Sequence, residues 1–68
     1  MKITLKALRT NRFLSQEEAA KKIGVSCETW SHYETGRSKP SFENGIKIEK
    51  EFNVMLKDIV FSPEDLDF

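Results

Sequence analysis

The 68-residue sequence predicts an all-α fold, a single domain of five short helices, and three observations support this prediction. Apolar residues recur at intervals of three and four, which is typical of helices with one buried face. A serine or threonine precedes four of the apolar segments, where its hydroxyl can cap a helix. A glycine or asparagine follows three of them, and both residues tolerate the left-handed backbone that ends many helices. A chain this short forms one domain at most.

The first two helices are defined by the signals at their ends. Thr4 can cap a first helix, which should end between residues 11 and 13. Ser15 and Glu18 have the spacing of a capping box, in which each side chain bonds the backbone N–H of the other residue. A second helix is therefore predicted directly after Ser15. Gly24 ends it, because glycine takes positive φ without strain.

A third helix is predicted over residues 27–35, between a capping Ser26 and a terminating Gly36. Only a glycine turn separates it from the second helix, so this part of the chain is a helix, a tight turn and another helix. Trp30 and Tyr33 lie three residues apart, on one face of the third helix. We expect their rings to hold this helix against the domain, which leaves the polar side chains of its opposite face pointing outward.

The second half of the chain completes the predicted domain. A basic loop leads to Ser41, which can cap a fourth helix that ends at Asn53. Residues 54–61 are rich in apolar side chains and are predicted as a short fifth helix. The chain is thus divided into a helical domain, residues 1–61, and an acidic C-terminal tail, residues 62–68.

Charge is distributed unevenly along the chain although it sums to zero. Residues 1–40 hold eight Lys and Arg against four Glu, a net charge of +4. Residues 41–68 hold three Lys against seven Asp and Glu, a net charge of −4. A basic half can face a polyanion while the acidic half faces away, although an ordinary solvated surface with a dipole explains the numbers equally well.

The composition argues against a membrane protein, a metal site and an enzyme. No apolar run approaches the ~20 residues of a membrane span, and the N-terminus lacks the pattern of a signal peptide. One Cys and one His cannot close a metal shell, and a lone Cys suits the reducing cytoplasm. Cys27 and His32 lie about 140° apart around the third helix, so they do not face each other as nucleophile and base. We expect a cytoplasmic protein without catalytic activity or cofactor.

Three segments together resemble one family of DNA-binding proteins. The chain carries, in order, LRTNRFLSQEEAAKKIGVS, YETGRSKPSFE and KIEKEFNVMLKDIVF. From Leu5 to Phe61 it resembles the phage repressor/Cro-like, or XRE-type, helix-turn-helix regulators. The resemblance implies that the third helix enters the major groove of an operator and that Arg9 pairs with Glu34. It also implies a sequence-specific transcriptional regulator, a repressor of the phage or mobile-element type.

The resemblance and the helix geometry together nominate ten side chains for contact with double-stranded DNA. In helix-turn-helix proteins the second helix of the pair reads base edges, while other positions hold phosphates. Glu28 can accept a hydrogen bond from cytosine N4, and Gln16 begins a helix at an end that favours anions. The candidate base contacts are Cys27, Glu28, Thr29, Ser31 and His32. The candidate phosphate contacts are Gln16, Ser26, Thr35, Arg37 and Lys39.

Three positions depart from the pattern of the family. Phe13 stands where a glycine is usual, Ala19 where a leucine is usual, and Glu49 where a small apolar residue is usual. We expect Phe13 and Trp30 to fill the core volume that the small Ala19 leaves empty. Glu49 suggests either that the fourth helix is partly exposed or that its carboxylate faces a partner.

Two questions stay open at the level of the sequence. The pI of 6.6 and the acidic Glu28 also suit a helix-turn-helix-shaped protein-interaction module, for example an antitoxin-like protein with weak or no DNA binding. Recognition of two half-sites favours a homodimer, at least on DNA. Apolar side chains of the last segments can either form that dimer surface or close the monomer core. They are Val54, Ile59, Val60, Phe61, Leu66 and Phe68.

Overall fold

Four α-helices and one pair of very short strands make up the fold. The computed structural model describes residues 2–61. The elements are β1 (Ile3–Thr4), α1 (Leu5–Thr10), α2 (Gln16–Ile23), α3 (Cys27–Thr35), α4 (Phe42–Phe52), a 3₁₀ helix (Leu56–Asp58) and β2 (Ile59–Val60). β1 and β2 pair in parallel, Ile3 with Ile59 and Thr4 with Val60. Among the described residues, no helix has the length and apolar character needed to cross a membrane.

The predicted boundaries of the four α-helices are confirmed by their caps. Each N-cap hydroxyl accepts a hydrogen bond from the backbone N–H three residues further on, and the caps are Thr4, Ser15, Ser26 and Ser41. The capping box is complete, since Ser15 Oγ accepts from the Glu18 N–H at 3.0 Å and Glu18 Oε1 accepts from the Ser15 N–H at 2.8 Å. Gly24, Gly36 and Asn53 end α2, α3 and α4 with φ of +83°, +80° and +52°. Local sequence therefore determines where each helix begins and ends.

The apolar faces of the helices meet in one core around Trp30, which is fully buried. Each large apolar side chain removed from water in this way contributes roughly 1.5–3 kcal/mol. Smaller side chains lie where α2 approaches its neighbours, with Ala19 and Ala20 almost without exposed surface. The buried apolar residues are Leu5, Leu8, Ala19, Ala20, Ile23, Trp30, Tyr33, Ile48, Phe52, Ile59 and Val60.

The predicted all-α class broadly fits, but the fifth helix is not confirmed, because a 3₁₀ turn and a short strand take its place. Residues 54–61 contain only one 3₁₀ turn, in which the Asp58 N–H donates to Met55 O at 2.9 Å, followed by β2. Ile59 and Val60 are β-branched and favour extended backbone. Because β1 lies beside them with backbone groups to pair, strand pairing replaces the last helical turn.

Apart from the exposed Met55, the apolar side chains of the same segment close the monomer core and do not form an exposed dimer surface. Ile59 and Val60 are only 4% and 6% exposed, and Val54 and Phe61 are partly buried against the core. The alternative of core closure is therefore the one that the structure supports for these side chains. Leu66 and Phe68, together with the whole predicted tail of residues 62–68, lie outside the described residues.

The prediction that Phe13 fills core volume is also wrong. Its side chain is 94% exposed, and its backbone has φ of +57°. The turn between α1 and α2 needs a left-handed residue at this position, which is the ordinary reason for a glycine there. That backbone conformation carries the ring out of the protein, whereas Trp30 is fully buried as expected.

Glu49 has an intramolecular partner that the sequence did not indicate. The side chain is partly buried on α4, and its Oε2 accepts a hydrogen bond from the Leu56 N–H at 2.7 Å. The carboxylate thereby satisfies a donor at the start of the 3₁₀ helix, for which no other side-chain cap is present. An acidic residue at this point of α4 thus helps to hold the C-terminal segment in place.

Candidate nucleic-acid interface

The turn between α2 and α3 brings the two helices into contact. The N–H groups of Gly24 and Val25 both donate to Ala20 O, at 2.9 and 3.0 Å, which closes the end of α2. Ser26 then caps α3 immediately. Ala20 is 2% exposed, and its single methyl group allows the helices to approach closely at the turn. The predicted helix, tight turn and helix are confirmed.

One face of α3 packs against the rest of the protein through two buried aromatic rings. Trp30 and Tyr33 are 0% and 4% exposed. Their ring centroids lie 6.5 Å apart in an edge-on arrangement, and the Trp30 ring lies 5.9 Å from that of Phe52 on α4. The Tyr33 hydroxyl accepts a hydrogen bond from Asn44 Nδ2 at 3.3 Å. α3 is therefore held in a fixed orientation, as the sequence predicted, and its opposite face is presented outward.

Glu34 connects three helices through a buried carboxylate. Its side chain is 4% exposed and forms an ion pair with Arg9 of α1. Arg9 Nη2 donates to Glu34 Oε1 at 3.2 Å, Gln16 Nε2 donates to the same oxygen at 3.1 Å, and Trp30 Nε1 donates to Oε2. Arg9 Nη1 also donates to Leu14 O at 2.8 Å. The predicted Arg9–Glu34 ion pair is confirmed, and it locks α1, α2 and α3 together.

The surroundings of Glu34 favour its ionised form. Burial by itself raises the pKa of Glu34, but the hydrogen bonds from Arg9, Gln16 and Trp30 and the Arg9 charge outweigh it. The pKa of Glu34 therefore lies below its ordinary value of 4.5. The carboxylate stays charged at neutral pH, so it is suited to a structural role and not to proton transfer.

The candidate base-contacting residues share the outer face of α3. Cys27 and Glu28 are exposed in its first turn, while Ser31 and His32 are partly exposed one turn later. The carboxylate of Glu28 has no partner among the described residues. Thr29 differs from the others because its hydroxyl accepts a hydrogen bond from Ser26 Oγ at 2.8 Å. Four of the five side chains thus keep their polar groups available.

The candidate phosphate-contacting residues flank that face. Arg37 and Lys39 are exposed in the loop after α3. The backbone N–H of Arg37 donates a hydrogen bond to His32 O at 3.0 Å. Ser26 and Thr35 are exposed at the two ends of α3, with Thr35 Oγ1 donating to His32 O at 3.2 Å. A hydroxyl side chain therefore lies at each end of the helix, and the basic side chains follow its C-terminal end, where phosphates would border a groove-bound helix.

Gln16 makes a contact with Glu34 that the sequence did not indicate. It begins α2, and one hydrogen of its amide nitrogen is directed to Glu34. A side-chain amide has two such hydrogens, so the second can donate to an anion while the first fixes the orientation of the group. The spacing of Gln16 and Glu34, eighteen residues apart, carries no signal by which sequence reasoning could have found this contact.

Arg12, a weaker candidate for DNA contact, is bonded within the protein. The guanidinium of Arg12 donates to Leu8 O at 3.1 Å and to Phe52 O, and it lies 5.2 Å from the Phe52 ring centroid. That cation therefore joins the ends of α1 and α4.

Within residues 2–61 there is no cluster of three or more His, Cys, Asp or Glu side chains that could hold a metal ion.

Comparison with known proteins gives a consistent result. A family model described as helix-turn-helix matches residues 5–59. An uncharacterized HTH-type transcriptional regulator of Methanocaldococcus jannaschii is 42% identical over 65 residues, covering 96% of this chain and 98% of the relative. An uncharacterized HTH-type transcriptional regulator of Archaeoglobus fulgidus is 37% identical, covering 97% of this chain and 94% of the relative.

A viral relative is also similar to the chain. The cryptic phage CTXphi transcriptional repressor RstR of Vibrio cholerae is 37% identical over 60 residues. The match covers 88% of this chain and 54% of the relative. No solved structure matches the chain significantly.

Proposed function

Because the chain belongs to the XRE-type helix-turn-helix family of DNA-binding transcriptional regulators, we propose that it is a repressor that reads duplex DNA with α3. The observation that carries the proposal is the fixed orientation of α3. Trp30, Tyr33 and Glu34 hold one face of the helix in the protein, and the opposite face has no covering segment among residues 2–61. A helix presented in this way fits the width of the major groove.

The proposed base contacts follow from the chemistry of the outer face. Glu28 has only acceptor oxygens when ionised, so the base opposite it must present a donor, and cytosine N4 is the matching group. His32 can donate to guanine O6 or N7, and Ser31 and Cys27 can serve several bases. Thr29 is assigned to the same surface, with its hydroxyl oriented by Ser26.

The proposed phosphate contacts set the orientation of the domain on the duplex. Arg37 and Lys39 supply positive charge next to the C-terminal end of α3. Ser26 and Thr35 lie at its two ends, and each hydroxyl must exchange its present acceptor, Thr29 Oγ1 or His32 O, for a phosphate oxygen. Gln16 supplies an amide donor at the N-terminus of α2, where the helix dipole also favours an anion. A repressor role is supported by the similarity to RstR, which is named a transcriptional repressor.

Two substitutions separate phosphate contact from base reading. A duplex is first selected from a random pool with the unaltered protein, and binding to it and to a random duplex is measured at several salt concentrations. Arg37→Ala should weaken both complexes similarly and reduce the salt slope by about one. His32→Ala should leave binding to the random duplex unchanged and cost about 1–3 kcal/mol on the selected duplex. Lys57→Ala, which removes an exposed cation from the acidic half of the chain, is the matched control for Arg37→Ala.

One outcome would contradict the role of His32, and another would contradict the function as a whole. Equal effects of His32→Ala on the two duplexes would remove His32 from base reading. If the unaltered, folded protein shows no salt-dependent binding to DNA, the alternative of a protein-interaction module is favoured. The zero net charge and the exposed Glu28 are consistent with that alternative.

We further propose that two copies bind one operator through an apolar flank of α4. Phe42 and Met55 are 81% and 57% exposed. Gly45 lies one turn after Phe42, and a Cβ at Gly45 would stand 2.9 Å from Leu56 Cδ1, so α4 packs beside the residue that follows Met55. Exposed apolar surface of this kind is typical of an interaction site. The domain extents of 32 × 23 × 23 Å let two adjoining copies lie about one DNA turn apart, ~34 Å.

Phe42→Asp should prevent this pairing without unfolding the domain, because the ring is largely exposed. Sedimentation equilibrium of protein with the selected duplex should give two chains per duplex for the unaltered protein and one for Phe42→Asp. Affinity for the full site should fall at least tenfold, since the second half-site is no longer filled cooperatively. Two chains per duplex with Phe42→Asp would exclude this surface, and one chain per duplex with the unaltered protein would exclude the dimer.

A further inference from the structure

The turn between α1 and α2 contains an exposed aromatic ring on a strained backbone. Phe13 has φ of +57°, a conformation that side chains with a Cβ rarely adopt, and it is 94% exposed. The ring thus makes no packing contribution that would offset the strain. Strained residues that bring no stability to the fold tend to lie at functional sites.

The turn is rigidly held on both sides of the ring. The Phe13 N–H donates to Thr10 O at 2.9 Å, and the Leu14 N–H donates to Arg9 O at 3.3 Å. Arg9 Nη1 in turn donates to Leu14 O at 2.8 Å. The backbone of Phe13 is therefore fixed relative to the network around Glu34, and the ring is attached at a defined point of the outer surface.

Phe13 is close in the chain to a proposed phosphate contact, Gln16. Phe13 precedes Gln16 by three residues, so at most about 10 Å of chain separates them. Arg9, whose side chain supports the turn, and Gln16 share the same Glu34 carboxylate. If Gln16 donates to a phosphate, the backbone of Phe13 therefore lies within about 10 Å of the residue that binds it.

The surroundings of the ring favour DNA over a protein partner. The exposed residues before it are polar, namely Thr10, Asn11 and Arg12, and Leu14 after it is partly buried against the core. A stable protein interface buries about 800 Å² on each side, which one ring without apolar neighbours cannot supply. A single aromatic ring can instead pack on a deoxyribose or against the edge of the minor groove.

We propose that Phe13 is a non-ionic DNA contact that packs against the sugar–phosphate backbone just outside the base pairs read by α3. This inference rests on the proposed function and extends it, because it assigns a role to a residue outside the helix pair. The contact lengthens the footprint of the domain on its flank and adds affinity that is insensitive to salt.

The test uses the duplex selected with the unaltered protein, and a second duplex shortened on its flanks. Phe13→Gly removes the ring and also suits the left-handed backbone, so the domain should fold at least as well as before. We expect a three- to tenfold loss of affinity for the long duplex and an unchanged salt slope. The unaltered protein should lose the same factor when the duplex is shortened, whereas Phe13→Gly should lose nothing further.

Asn53→Gly is the matched control. Asn53 is the second non-glycine residue with positive φ in the described part of the chain, and it ends α4, which contributes none of the proposed DNA contacts. Equal affinities of Phe13→Gly and the unaltered protein for the long duplex would overturn the inference while the proposed function stands. Loss of affinity by Phe13→Gly with a reduced salt slope would also overturn it, because the contact would then be ionic. Absence of binding by the unaltered protein would reject the function and the inference together.

Discussion

Trp30→Ala is expected to leave the domain largely unfolded at 25 °C. Trp30 is fully buried between Tyr33 and Phe52, and its indole Nε1 donates to Glu34. Large-to-small substitutions of buried aromatic residues cost about 3–5 kcal/mol, because the cavity collapses only in part. A domain of this size rarely has more than about 3–5 kcal/mol of stability in total. The expected loss is therefore as large as the whole free energy of unfolding.

Urea unfolding followed by far-ultraviolet circular dichroism measures this effect. Trp30→Phe is the informative companion, because it keeps an aromatic ring but removes the hydrogen bond to Glu34. We expect it to remain folded with an intermediate loss of stability. A cooperative unfolding transition for Trp30→Ala near the urea midpoint of the unaltered protein would show that this ring does not hold α3 in place.

Glu34→Ala is the second substitution with a large expected effect. It leaves the guanidinium of Arg9 without its ionic partner at a site where the Arg9 side chain is only 11% exposed. It also leaves the Trp30 Nε1 and Gln16 Nε2 donors without their acceptor. Removal of one partner from a buried ion pair costs about 3–5 kcal/mol, since the remaining charge is left uncompensated.

The double variant Arg9→Met, Glu34→Leu separates the value of the pair from the penalty of an orphaned charge. Replacement of both partners by apolar side chains of similar volume is often nearly neutral. We therefore expect the double variant to recover most of the stability that Glu34→Ala loses, as measured by the urea midpoint. A double variant as unstable as Glu34→Ala would contradict the assignment of the loss to the unpaired guanidinium.

Acid titration of the same variants tests the charge on Glu34. Its pKa is lowered from the ordinary value of 4.5, so the unfolded chain takes up this proton at higher pH than the folded protein. The stabilisation is complete above pH 4.5 and is lost as the pH falls through the lower pKa of the folded state. The double variant should lose less stability than the unaltered protein below pH 4.5. The pKa of the exposed Glu18 is also lowered, by its hydrogen bonds with Ser15, and leaves an acid dependence of the same sign in both proteins.

Much of the fold can be predicted from the sequence because the signals are local. Ser15 and Glu18 are three residues apart, and the hydrogen bonds between them form wherever this segment becomes helical. Gly24 ends α2 through its own backbone freedom. Trp30 and Tyr33 face the core because of their spacing on a helix, and the face they leave free follows from the same geometry.

The sequence by itself therefore determined the four helices, their order and the outward face of α3. Only the tertiary structure decided the form of residues 54–61, where Ile59 and Val60 extend because the N-terminal Ile3 and Thr4 lie beside them to pair. It alone decided that Phe13 points to solvent and that Gln16 contacts Glu34. Helix caps and apolar periodicity depend on residues within a few positions of each other, so they can be recognised in the sequence. The other outcomes depend on contacts between residues far apart in the chain, which no local pattern indicates.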